Sequence, residues 1–130
     1  LIVRGICTLL PGIDDVSENI KIYRIVDMFL EHSRIYKFGN NGKEKIYLSS
    51  ADMLSRNLNR RIEVGFPLYN EKHIAEINTI IQLQLEDNTK KRIINCKGDN
   101  ELDILVADMP RRAQTEIYNW IAEINADSVL

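Results

Sequence analysis

His32, Arg34, Ser50, Asp52 and Glu63 are the side chains whose types and spacing could do chemistry. An imidazole holds or moves a proton near neutral pH. A guanidinium offers a fixed fork of donors that matches phosphate oxygens. If Ser33 to Phe38 is extended, side chains alternate with period two, and His32 and Arg34 point to the same side. Side by side they would form a site for a phosphate dianion. Glu63, read on the outward face of a later strand, could accept the second ring N–H of His32. That bond would fix the tautomer, orient the ring and favour its protonated form. The plainer reading of His32 is a histidine at a helix end, where the dipole favours its cation.

The elements that must hold these groups follow from pattern. Leu1 to Leu9 is apolar on both faces and only strand-long, which predicts a central buried strand. Arg4 inside it needs a partner, either a structural carboxylate or a phosphate. Pro11-Gly12 opens a loop through Asp14-Asp15, a pair more often solvated than metal-binding. Ile22, Ile25, Val26, Phe29 and Leu30 recur at helical spacing with Asn19 as a cap, predicting a helix that ends near His32. Arg34 to Phe38 and Lys45 to Ser49 flank an Asn/Gly-rich turn and read as a hairpin. Asp52 to Asn59 reads as a short helical turn or loop. Arg61 to Phe66 reads as a strand stopped by Pro67, with Ile62 and Val64 facing inward and Glu63 outward. Asn70 caps a long helix with Ile74, Ile77, Ile81 and Leu85 on one stripe, and His73 in its first turn reads as a surface residue. Lys90 to Arg92 reads as a solvated charge run. Asn95 to Asn100 is a polar loop, Leu102 to Val106 a candidate strand, and Asp108 with Pro110 a helix start. Ala113, Ile117, Trp120, Ile121 and Ile124 give the last helix an apolar stripe for core or docking. Alternating strands and helices argue an α/β domain with a mixed sheet flanked by helices.

The bulk numbers narrow the function classes. A chain of 130 residues, 45% hydrophobic and 28% charged, is one domain with room for a core. A formal net charge of −2 gives no general pull toward nucleic acid or anionic membrane, so any anion site must be a local cation cluster. Cys7 and Cys96 fit neither a CxxC nor a zinc spacing and suit two free thiols in a reducing compartment. No stretch reaches the length of a membrane span. The chain starts in an apolar run without Met and reads as a piece of a longer protein.

Phe29-Leu30-Glu31-His32-Ser33-Arg34-Ile35-Tyr36 is the most distinctive run. With Arg4-Gly5-Ile6-Cys7 upstream, and Ser50-Ala51-Asp52 and Arg56-Asn57-Leu58-Asn59-Arg60-Arg61-Ile62-Glu63 downstream, it closely resembles the C-terminal domain of bacterial polyphosphate kinase. The resemblance covers nearly the whole chain. It is strongest from Leu1 to Pro67. The order His-x-Arg, Ser-x-Asp, Glu also looks like half of a phospholipase-D-type site. That superfamily uses His-x-Lys, then Gly-Ser-x-Asn, then an acidic residue, so Arg34 and Asp52 depart from it.

The resemblance implies a phospholipase-D-like α/β domain spanning residues 1–130, the second of two that face each other in the full chain. It implies reversible transfer of the ATP terminal phosphate to polyphosphate through a phosphohistidine on an upstream domain. His32 would be the second active-site histidine, and Arg4 would contact the nucleotide phosphates. Arg34, Ser50 and Glu63 are supporting candidates, and Arg60 and Arg61 either support the site or pair with carboxylates. Mg²⁺ would arrive with ATP, with no metal ligand in this stretch. The implied partners are ATP or ADP, inorganic polyphosphate and the upstream domains, in a cytoplasmic homo-oligomer at or near the inner membrane face, with no nucleic acid. The alternatives are a phosphodiesterase half-site and a non-catalytic polyphosphate- or nucleotide-binding domain. By itself the stretch should be inactive, because the nucleophile lies elsewhere.

Overall fold

The structure, a computed structural model, describes residues 1–102 and 109–126. In chain order the strands are β1 (Ile2–Val3), β2 (Ile22–Ile25), β3 (Ile35–Phe38), β4 (Lys45–Ser49), β5 (Gly65–Pro67), β6 (Lys91–Ile94) and β7 (Asn100–Leu102). The helices are α1 (Ser55–Arg60), α2 (Glu71–Glu86) and α3 (Ala113–Ala126). The chain forms two compact units, Leu1–Leu30 with Thr79–Leu130, and Glu31–Asn78.

The first unit is built on a sheet in the order β1-β2-β6-β7. β1 runs parallel to β2 and the other pairs are antiparallel. Ile22 pairs with Ile94 in register, and both are buried with Ile25 and Ala113. The predicted helix over residues 22–30 is therefore a strand, and residues 27–30 form no helix. Both ends of β2 are buried, so its apolar residues fall three apart and imitate a helical stripe. The predicted central strand over Leu1 to Leu9 reduces to two residues at the sheet edge, and Ile6 is 88% exposed. Apolarity in that run does not mean burial within this unit.

The charge run over Lys90 to Arg92 is solvated only in part: Lys90 is exposed and Arg92 half-buried. Lys91 lies buried in β6, with its ammonium bonded to the Leu85 carbonyl and 5.1 Å from the Tyr23 ring centre. A cation with a carbonyl and an aromatic face to meet can sit inside a sheet. β7 ends the described part of the predicted strand at Leu102; Asp103 to Asp108 lie outside the described residues. Helix α3 starts at Ala113, because the Ala113 N–H donates to Asp87 Oδ2 at 2.8 Å. Its cap thus comes from a residue 26 positions upstream. Asp87 Oδ1 also accepts the N–H groups of Thr89, Lys90 and Lys91. The side chain of Asp27 is buried beneath a two-pronged pair with Arg112, at 2.8 and 2.5 Å. Cys7 and Cys96 are both free thiols.

The second unit carries an antiparallel sheet, β3-β4-β5. The hairpin forms as the pattern predicts, with Ile35 opposite Leu48 and Phe38 opposite Lys45. Its turn puts Asn40, Asn41 and Gly42 at φ of 44°, 53° and 83°, the left-handed region that asparagine and glycine tolerate. The hairpin belongs to this sheet and not to the mixed sheet of the first unit, so the expected single sheet is two. Pairing explains the split, since among the described residues β3 and β4 pair only with each other and with β5. Ile46 is the buried side chain of β4. α2 starts where expected, with Asn70 Oδ1 accepting the Lys72 N–H at 2.9 Å. Lys37 ties the sheet to that helix through Glu44 at 2.7 Å and Asn78 at 2.6 Å. Among the described residues, no helix is long and apolar enough to cross a membrane.

Candidate active site

His32, Arg34, Ser50, Asp52 and Glu63 all fall in the second unit, whereas Arg4 belongs to the first. Residues 31–34 have no regular secondary structure and His32 is exposed. β3 starts only at Ile35, so strand alternation does not set the directions of His32 and Arg34. A different device joins them. The Arg34 main chain is fixed to the end of β4, its carbonyl accepting the Ser49 N–H at 2.9 Å. Its side chain turns back, Nη1 donating to the His32 carbonyl at 2.7 Å and Nε to Asp52 Oδ1 at 2.9 Å. The hydrogen bond from Arg34 holds the Asp52 carboxyl below its ordinary range, against a smaller opposing effect of burial. Asp52 in turn holds Arg34 more firmly protonated.

Glu63 does not meet the expectation placed on it. Ile62 and Val64 are exposed, and Glu63 is the half-buried one of the three. Oε2 accepts the Ser50 hydroxyl and Oε1 accepts Asn57 Nδ2 at 2.7 Å. The Ser50 oxygen also accepts the Val64 N–H at 3.0 Å. Both carboxylate oxygens thus serve the support of the site and not the imidazole of His32. The predicted strand over Arg61 to Phe66 is present only from Gly65. The hydroxyl of Ser50, then the amide of Asn57, lower the Glu63 carboxyl. A group lowered on folding adds stability above its unfolded value of about 4.3, and loses it as pH falls through the folded value. Glu63→Ala should therefore lower the melting temperature at pH 7, and Glu63→Gln, which keeps one acceptor oxygen, should lower it less. Thermal unfolding at pH 7 and pH 4 checks both, with the gap between parent and Ala variant narrowing at the lower pH.

Asn57, which bonds Glu63, is a residue of this cluster that the sequence reading did not single out. It is 4% exposed, sits in α1, and its Oδ1 has no hydrogen-bond partner among the described residues. Nothing in Arg56-Asn57-Leu58-Asn59-Arg60 separates it from Asn59. Arg56, Arg60 and Arg61 are exposed. Arg4 follows β1, is exposed, and makes no ion pair among the described residues. The buried structural partner that one reading gave it is absent there. No group of three or more His, Cys, Asp or Glu side chains among the described residues could hold a metal ion.

Comparisons with known proteins match the chain, in sequence and in fold, to a family. The profile described as "Polyphosphate kinase C-terminal domain 2" matches residues 1–114. The chain belongs to the polyphosphate kinase C-terminal domain family. It is 54% identical over 99 residues to the polyphosphate kinase of Bacillus cereus, covering 76% of this chain and 14% of that protein. It is 42% identical over 123 residues to that of Pseudomonas aeruginosa, covering 94% of this chain and 18% of that protein. The crystal structure of the polyphosphate kinase from Porphyromonas gingivalis matches with a TM-score of 0.90 at 42% identity, over 97% of this chain and 19% of that one. The chain spans less than a fifth of the length of these relatives. The α/β class expected from the sequence holds, with two sheets in place of one, and the fold is shared with that polyphosphate kinase.

Proposed function

We propose that residues 1–130 form one domain, the second phospholipase-D-like half of a polyphosphate kinase. In the full chain it would take part in reversible transfer of the ATP terminal phosphate to polyphosphate. The reading is carried by likeness to polyphosphate kinases in sequence and in fold, together with an exposed His32 on a braced segment. A phosphohistidine on an upstream domain would form as ADP leaves. The terminal oxygen of polyphosphate would then attack phosphorus, making a new P–O bond as the P–N bond breaks. Such a reaction asks mainly for positioning and charge neutralisation. His32 would donate or accept a proton, or stabilise charge, during that attack. Arg4 would bind phosphate oxygens. Arg34, Ser50 and Glu63 would support His32.

Mg²⁺ would come with the nucleotide. The carboxylates of the candidate site do not suit it, because Asp52 is engaged by Arg34, and Glu63 by Ser50 and Asn57. The partners proposed are ATP or ADP, polyphosphate, the upstream domains and further copies of the full chain. The setting proposed is cytoplasmic, at or near the inner membrane face.

The full-length protein, given ATP and Mg²⁺, should make polyphosphate, and given ADP and polyphosphate it should make ATP. The 130-residue chain alone should do neither. Failure of the full-length protein to make polyphosphate ends this reading. Cleavage of a simple phosphodiester by the short chain would point instead to the phosphodiesterase half-site.

A further inference from the structure

We infer that Asp52 is a positioning residue for the reaction, and that Arg34 is its intermediary and not a phosphate ligand. The inference rests on the proposed role of His32 and deepens it. His32 sits in a segment without regular structure, and such a segment needs an anchor if its side chain is to be presented at a fixed place. Arg34 supplies the anchor from the rigid side. Its main chain is tied to the end of β4, and its guanidinium folds back onto the His32 carbonyl. A free guanidinium would swing toward any phosphate that approached. Asp52 stops that swing by taking Nε, so two of the five guanidinium N–H groups are committed inside the protein. Asp52 itself leaves β4 by way of Ser50 and Ala51. Ser50 is held by Glu63 and the Val64 N–H, and Ala51 by the Ser49 hydroxyl. The chain of support thus runs from the sheet through Asp52 and Arg34 to the backbone of His32. A guanidinium is needed for this. It reaches a carboxylate and a carbonyl at once in one plane, whereas an ammonium is a point charge without that geometry. The charge of Arg34 is neutralised by its own support, which leaves it poorly suited to bind phosphate.

The test uses the full-length enzyme with Asp52→Ala, Asp52→Asn, Arg34→Ala, Arg34→Lys and the Asp52→Ala/Arg34→Ala double variant. Three quantities are read: kcat and KM for ATP in polyphosphate synthesis, the melting temperature, and hydrogen exchange of the peptide covering residues 29–36. A displaced active-site group can cost on the order of 100-fold in rate. Asp52→Ala and Arg34→Ala should therefore each lower kcat by about 10- to 100-fold, with KM for ATP within about twofold of the parent. The double variant should be no worse than the poorer single variant, because both remove one device. Exchange in residues 29–36 should quicken in both single variants. Asp52→Asn, which keeps an acceptor oxygen, should lose less than Asp52→Ala, and Arg34→Lys should fail to rescue. A KM that rises while kcat holds would make Arg34 a phosphate ligand and overturn the inference. So would effects that multiply in the double variant, or unchanged exchange. His32→Ala is run beside them. If it is inactive and the Asp52 and Arg34 variants are normal, this inference alone fails. If His32→Ala keeps parent activity, the proposed role of His32 fails. The catalytic part of this inference fails with it, while exchange still decides whether the bridge holds the segment.

Discussion

His32→Ala in the full-length enzyme should cut polyphosphate synthesis by about 10²- to 10⁴-fold, the range for loss of a positioned acid–base group. The protein should stay folded. The side chain is exposed, so its removal opens no cavity in the core of its unit. The segment that carries it is held through its carbonyl by Arg34, and that bond does not depend on the imidazole. Circular dichroism and melting temperature should match the parent. Arg4→Ala should behave alike. Arg4 is exposed and has no ion pair among the described residues, so no structural partner loses its charge. Loss of one preorganised charge stabiliser costs about 10²- to 10³-fold. Arg4→Lys keeps the charge but not the fork, and should recover part of the rate. If His32→Ala and Arg4→Ala both fold and both work at near parent rate, the assignment of the site is wrong.

The second large effect is on stability and comes from Asp87. Its side chain is fully buried and accepts N–H groups from Thr89, Lys90, Lys91 and Ala113. It therefore turns the chain from α2 into β6 and caps α3 at the same time. Asp87→Ala would leave several of those donors without an acceptor. A buried donor left unpaired costs about 1–3 kcal/mol, so a loss of about 3 kcal/mol is expected, softened where water can enter. Asp87→Asn keeps one oxygen but turns an amide toward N–H donors, and should fall between parent and Ala.

The pH dependence follows from the same contacts. Burial by itself would raise the Asp87 carboxyl, but the backbone donors, led by Ala113 and Lys90, outweigh it and hold the carboxyl below its ordinary value. Asp27 is lowered too, chiefly by its bond from Arg112. A carboxyl lowered on folding binds its proton less readily folded than unfolded. Its stabilisation is full above the unfolded value of about 3.9, and drains as pH falls through the folded value. Urea unfolding of this chain at pH 7 should show the full gap between parent and Asp87→Ala. The gap should shrink once the pH drops below about 4. An equal gap at pH 7 and pH 3 would refute the linkage.

Where pattern and partner lie close together in the chain, the sequence alone was enough. The hairpin from Ile35 to Ser49 follows from two apolar runs around Asn40, Asn41 and Gly42. The start of α2 follows from Asn70, whose oxygen meets an N–H two residues on. The words around His32 were enough to mark the family, because residue order survives whatever the fold does with it. Tertiary structure decided the rest, and in each case the deciding contact joins residues far apart or weighs burial on two sides. Residues 22–25 have apolar spacing that suits helix or strand, and pairing with β6 makes them a strand. Lys91 looked solvated until Leu85 and Tyr23 received it. Glu63 could have faced His32, but Ser50 and Asn57 hold both of its oxygens. Asp87 reaches the start of α3 across 26 positions, and Asp52 reaches Arg34 across 18. Local spacing fixes which way a side chain leaves its own backbone. Which donor meets which acceptor depends on where a distant part of the chain returns, and that is settled only when the whole unit has packed.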